Sequence, residues 1–226
     1  MIWGHWIAML KLIIGNKAYS SWSLRGWLAC KQAGLPFEEL VVPLYNDDWV
    51  ARREADDLAP SSGRVPILWD GDIPVWDSLA IIDYLDAKSG GTKFWPKGSA
   101  ALAMARSISA EMHSGFIALR SQHSMNVRRI SSGITPTPEV KNDIARIMQL
   151  WAEARARFGG TGDFLFGEFG SADIMFAPVV TRLTTYGLPT PPFARPYIDA
   201  ITNHPWMQDW IAAAHEEKWV IARFEA

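Results

Sequence analysis

Cysteine is nearly missing from this chain: Cys30 stands alone among 226 residues. An intrachain disulfide is impossible, no CxxC zinc or redox pair exists, and the composition suits a reducing compartment. A dominant charge is missing too, since acidic and basic residues are scattered along the chain and the formal net charge is -2. Such a field concentrates neither nucleic acid nor anionic lipid, so neither is expected as a partner. No run reaches the roughly 18–20 apolar residues of a membrane-spanning helix. The apolar start comes nearest, but Lys11 interrupts it and no basic segment precedes it, which fits neither an anchor nor a signal peptide. Residues 1–8 read as a short extension or a misassigned start, and without targeting signals the expected location is the cytoplasm. The five histidines lack metal-ligand spacing, so no metal is expected. P-loop, GxGxxG, GxSxG and HExxH patterns are also missing.

What the chain does have is apolar material, 49% of its residues, enough for one large domain or two compact ones. Residues 10–14 form a short apolar run ended by Gly15-Asn16, a strand entering a loop. Ser21 and Ser23 offer capping hydroxyls to a helix that carries Leu24, Trp27 and Leu28 until Gly34 and Pro36 stop it. Residues 37–42 read as a second strand, closing a βαβ unit. A short surface helix is expected within residues 47–58. Val65-Pro66-Ile67-Leu68-Trp69 and Ile73-Pro74-Val75-Trp76 then flank Asp70-Gly71, a hairpin signal. Ser78 caps a helix with Leu79, Ile82 and Leu85 on one face, which completes a ββα unit. Together βαβ and ββα describe a thioredoxin-like α/β domain over residues 9–88. A Gly-, Ser-, Lys- and Pro-rich linker follows, and residues 98–226 read as an all-helical domain with helices at 99–125, 138–158, 172–186, 194–203 and 206–216.

Three segments carry a resemblance. Ser20-Ser21-Trp22-Ser23-Leu24-Arg25, Gly63-Arg64-Val65-Pro66 and Asp77-Ser78-Leu79-Ala80-Ile81-Ile82-Asp83-Tyr84-Leu85 together resemble the cytosolic glutathione transferases, most nearly a bacterial, zeta-like serine type. Ala172-Asp173-Ile174 resembles the family's buried N-capping box. The resemblance implies a co-substrate, glutathione, whose thiol (pKa ~8.5) is only a few per cent ionised at neutral pH. A hydroxyl donating to the charged sulfur contributes roughly 1.5–3 kcal/mol, about one to two pKa units. By the resemblance Ser20 is the first candidate for that donor and Ser21 the second, at the positive end of the first helix. Trp22 stands beside them. A cis Pro66 would hold Val65 extended against the cysteinyl backbone of glutathione, Ser78 would meet the γ-glutamyl carboxylate, and Asp77 would accept from its amine. Arg64, with Arg52 or Arg53, is the candidate for the glycine carboxylate. Met112, His113, Phe116 and Arg120 lie on the helix that faces the sulfur in this family, where pocket lining competes with plain bundle core.

The implied activity is transfer of glutathione to an electrophilic, mostly apolar small molecule, by a homodimer. Glutathione-dependent isomerase, peroxidase and dehalogenase activities on the same fold remain open, as does a noncatalytic interaction protein of similar fold. Two positions depart from the pattern. Trp22 stands where zeta-class maleylacetoacetate isomerases carry a cysteine, which weighs against that isomerisation and suggests a small or flat acceptor. Gly170 stands where the capping box usually has Ser or Thr.

Overall fold

The computed structural model describes residues 9–131 and 134–225; the start discussed above, residues 1–8, lies outside them. Four strands form one mixed sheet in the order β2-β1-β3-β4. The central strand β1 (Leu10–Gly15) is parallel to β2 (Phe37–Val42) and antiparallel to β3 (Ile67–Asp70), which pairs antiparallel with β4 (Ile73–Trp76). Leu10, Leu12, Ile13 and Ile14 are all buried, because both faces of β1 are covered and a strand in that position needs no polar alternation. In the hairpin Asp70 pairs with Ile73, so the turn residues are Gly71 and Asp72, and Gly71 supplies the positive φ of +64°.

Helix α1 (Ser21–Ala33) begins where the Ser20 side chain accepts the Ser23 amide and ends at Gly34 in the left-handed region. A short α2 (Trp49–Arg53) and then α3 (Ser78–Lys88) complete the N-terminal half. The rest is helical: α4 (Ser99–Ser114), α5 (Ile117–Gln122), α6 (Pro138–Phe158), α7 (Ser171–Thr185), α8 (Arg195–Thr202) and α9 (Pro205–Glu216). The architecture is thus a thioredoxin-like βαβ–ββα layer joined to an all-α bundle.

One expected helix is in fact two. The pattern over 99–125 breaks at Gly115 and Phe116, where Phe116 takes φ +57° and buries its ring. A side chain at Gly115 would meet the Glu111 carbonyl at 2.7 Å, so the chain turns there only with glycine. Arg120 then folds back, donating through Nη1 to the carbonyls of His113 and Gly115, both at 3.1 Å. That break aims Arg120 at α1.

The capping box at α7 is half built. Asp173 accepts the Gly170 amide (2.9 Å) and the Leu165 amide (3.1 Å), while Gly170 has no hydroxyl to return a bond. Residues of β1, α1 and α3 share one continuous hydrophobic cluster with residues of α4 and α6 to α9. The sheet therefore presents the start of α1 to the bundle.

Candidate functional site

The loop from β1 into α1 holds the hydroxyls. Ser20 and Ser23 occupy a CxxC-like spacing, and Ser20 Oγ donates to Ser23 Oγ at 2.8 Å while accepting the Ser23 amide at 3.3 Å. Ser23 Oγ in turn accepts the Gly15 amide at 2.9 Å, which ties the helix start to the end of β1. The Ser21 hydroxyl accepts from Arg182 Nη2 of α7 at 3.2 Å. Its own proton is left for another acceptor. Both serines are largely buried, at 8% and 9% exposure.

Pro66 packs on α1 at Gly26, where an added Cβ would lie 2.9 Å from the proline ring. The Val65–Pro66 peptide bond is cis. Val65 precedes β3, and neither its N–H nor its C=O has a hydrogen-bond partner among the described residues. It therefore offers an unpaired piece of strand edge.

Asp77 enters α3 with φ +73°, an uncommon conformation for a non-glycine residue, and caps it by accepting the Leu79 amide at 2.8 Å. Ser78 follows, fully buried at the helix N-terminus, and its hydroxyl has no partner. Asp77 Oδ2 lies 3.3 Å from His113 Nε2. His113 meets the Trp22 ring edge-on at 5.2 Å, so α3, α4 and α1 converge on the indole.

Trp22 is also flanked by cations. The guanidinium of Arg25 sits 4.9 Å from the ring centroid and that of Arg120 4.8 Å. Arg25 donates through Nε to the Met175 carbonyl at 3.1 Å, and its buried Nη1 has no partner. Burial, then the charges of Arg182 and Arg120, push Arg25 well below the ordinary arginine range, with Asp77 opposing. Burial and Arg120 bring Arg182 down to about 10, still cationic at neutral pH.

Of the expected pocket residues, Met112 is fully enclosed in the shared core and Phe116 nearly so, whereas His113 and Arg120 keep exposed surface. Arg64 is exposed. Arg52 is engaged by Asp57 through paired bonds of 2.6 and 2.9 Å, and Arg53 lies against Gly63. Cys30 is buried, and desolvation pushes its thiol far up, so it is no nucleophile. Among the described residues no group of three or more His, Cys, Asp or Glu could hold a metal ion. Nor is any helix there long and apolar enough to cross a membrane.

Arg25 and Arg182 escaped the sequence reading as site residues. Their signal was a cation inside an otherwise apolar helical run, Leu24-Arg25-Gly26-Trp27 and Val179-Val180-Thr181-Arg182-Leu183. An apolar hollow of about 480 Å³ between α6 and residues 189–193 is lined by none of these groups.

Residues 19–88 match the glutathione S-transferase N-terminal domain family and residues 137–213 the glutathione S-transferase C-terminal domain family. The chain is 30% identical over 192 residues to glutathione S-transferase GstB of Escherichia coli K12, spanning 79% of this chain and 86% of that one. Dichloromethane dehalogenase of Methylorubrum extorquens is 43% identical over 61 residues, 27% of this chain and 21% of that one. A glutathione transferase homolog from Burkholderia gl BGR1, solved with bound glutathione, superposes with a TM-score of 0.67 at 21% identity, covering 92% of this chain and 99% of that one.

Proposed function

Because the chain belongs to the glutathione S-transferase family, we propose that it binds glutathione between the Val65 edge and the start of α3, ionises its thiol at the start of α1, and delivers the thiolate to a small electrophile. The observation that carries this reading is the Ser78 hydroxyl, buried at a helix N-terminus with no partner. Buried hydroxyls are nearly always satisfied, and an orphan beside free helix amides suits a ligand carboxylate, here the γ-glutamyl one. The unpaired N–H and C=O of Val65 suit the cysteinyl backbone, and Asp77, at the surface, suits the ammonium. Arg64 is free to reach the glycine carboxylate.

Ser20 is the first candidate for thiolate donor. Its lone pair can keep the Ser23 amide while its proton turns from Ser23 Oγ to the sulfur. Ser21 is the second, polarised by the Arg182 guanidinium it accepts from. One such donor is worth roughly 1.5–3 kcal/mol for a charged acceptor, and the α1 N-terminus adds about 0.3–1 kcal/mol. The acceptor's electrophilic atom then forms the C–S bond as its leaving group departs or as a conjugate acceptor takes up a proton.

Ultraviolet titration of bound glutathione tests the assignment. The expected thiol pKa is about one to two units below the free value of ~8.5, and Ser20→Ala returns most of that shift while lowering kcat/KM about 10- to 100-fold. An unshifted thiol, or full activity in both Ser20→Ala and Ser21→Ala, would overturn it. Displacement of halide by the same thiolate is a second reading, supported by the 61-residue similarity to the dehalogenase; chloride release from a haloalkane measures it. A homodimer is also proposed, supported by edge strand β4, which exposes Ile73 and Trp76. Sedimentation at twice the monomer mass is the expected result. The reducing cytoplasm remains the proposed location, supported by the single buried thiol.

A further inference from the structure

We propose that the acceptor substrate carries a carboxylate, and that Arg120, held over Trp22, binds it beside the glutathione sulfur. The inference rests on the glutathione-binding reading above and sharpens the expected acceptor from an apolar molecule to an anionic one.

Three cations from three helices meet at one indole and one serine. Arg25 of α1 and Arg120 of α5 stand over Trp22, and Arg182 of α7 reaches Ser21. None of the three has a carboxylate within ion-pair distance among the described residues. Arg182 spends its bonds on neutral oxygens, those of His123, Pro178 and Ser21. Arg25 bonds the Met175 carbonyl and leaves Nη1 unpartnered inside the protein. The nearest opposing charge, Asp77, is shared with His113.

Burying unpaired cations side by side is costly, because desolvation and mutual repulsion add. An anion that arrives would offset both costs. Glutathione supplies one near them, the thiolate, since its two carboxylates are taken up at Ser78 and Arg64 in the reading above. The thiolate offsets one cation, while Asp77, engaged by the γ-glutamyl ammonium in that reading, does not offset another. A positive charge is left over.

Arg120 is the member placed to use it. Its side chain is partly exposed, its Nη1 is fixed by the carbonyls of His113 and Gly115, and its Nε and Nη2 have no partner among the described residues. A guanidinium held over an indole with Nε and Nη2 free can present two donors to the two oxygens of a carboxylate. The break between α4 and α5 is what puts it there.

The test uses the full chain saturated with S-methylglutathione, which fills the tripeptide site without reacting. Calorimetric titration compares 4-nitrobenzoate with 4-nitrobenzamide, near-isosteres that differ in charge. The expected result is at least tenfold tighter binding of the carboxylate, with the ratio falling to within about twofold in Arg120→Gln and partly kept in Arg120→Lys. Equal affinities in the wild-type protein would overturn the inference, and so would a preference that Arg120→Gln leaves intact. A failure to bind S-methylglutathione at all would instead sink the glutathione reading and this inference with it. A preference that disappears together with a rise in the bound glutathione thiol pKa in Arg120→Gln would assign the cluster to the thiolate, against the proposal.

Discussion

Ser78 gives the sharpest consequence at the scale of single residues, because its role without ligand and with ligand differ in sign. Its hydroxyl is buried and unpartnered in the free protein, a state that costs about 1–3 kcal/mol. Ser78→Ala should therefore leave stability unchanged or raise it by about 1 kcal/mol, while weakening glutathione about tenfold. Urea unfolding together with calorimetric titration measures both, and a variant that loses stability and keeps affinity would refute the assignment. Ser20, Asp77 and Ser78 lie where a strand gives way to a helix, and Val65 and Pro66 where a loop enters β3, local junctions that the sequence marks. Arg25 and Arg182 were not legible in this way, because their meaning depends on where α7 crosses α1, and spacing along the chain carries no information about that crossing.

Elements, in turn, constrain the site through close packing. Gly26 is a substitution target by helix propensity alone, since alanine is about 1 kcal/mol better in a helix. Here an added Cβ would sit 2.9 Å from the Pro66 ring, so Gly26→Ala should lose about 1–3 kcal/mol net and raise the KM for glutathione by displacing Val65. Thermal unfolding and steady-state kinetics check it, and a stabilised variant with unchanged KM would contradict it. The start of α7 makes a second prediction. Burial raises the Asp173 carboxyl to about 6, against ~3.9 in the unfolded chain. Between those values the folded state binds more protons, so this residue makes stability fall as pH rises from about 4 to 6, by about 3 kcal/mol in all. Asp173→Asn should remove that slope, although its amide nitrogen cannot accept the second backbone N–H and absolute stability falls. Urea midpoints across that range, compared between the two proteins, decide the matter; parallel curves would exclude it. The helix break at Gly115 was not legible, because the apolar periodicity runs through it and only the left-handed Phe116 reveals the turn.

Across the whole molecule, the loop that leads into Ser20 is held by the C-terminal segment. The Glu217 carboxylate accepts the Lys17 amide at 2.7 Å and the Ala18 amide at 3.1 Å. Trp210 Nε1 donates to the Lys17 carbonyl at 2.9 Å, and Arg128 donates to the Glu217 carbonyl at 2.9 Å and to the Tyr19 hydroxyl. The Lys17 backbone and the Ala18 amide, just before Ser20, thus find their partners in α9 and the segment after it. The linker composition at residues 88–98 marks a change of class in the sequence, yet the core and these bonds run across it. Glu217→Ala leaves two partly buried amides without acceptors, at a cost of roughly 2 kcal/mol, or about 4–8 °C in Tm for a chain of this length. If the tail positions Ser20, the same variant should raise the pKa of the bound glutathione thiol at temperatures where circular dichroism shows it folded, and Glu217→Gln, which keeps one acceptor, should fall between. A drop in Tm with an unmoved thiol pKa would mean that the tail stabilises the fold without setting the hydroxyl.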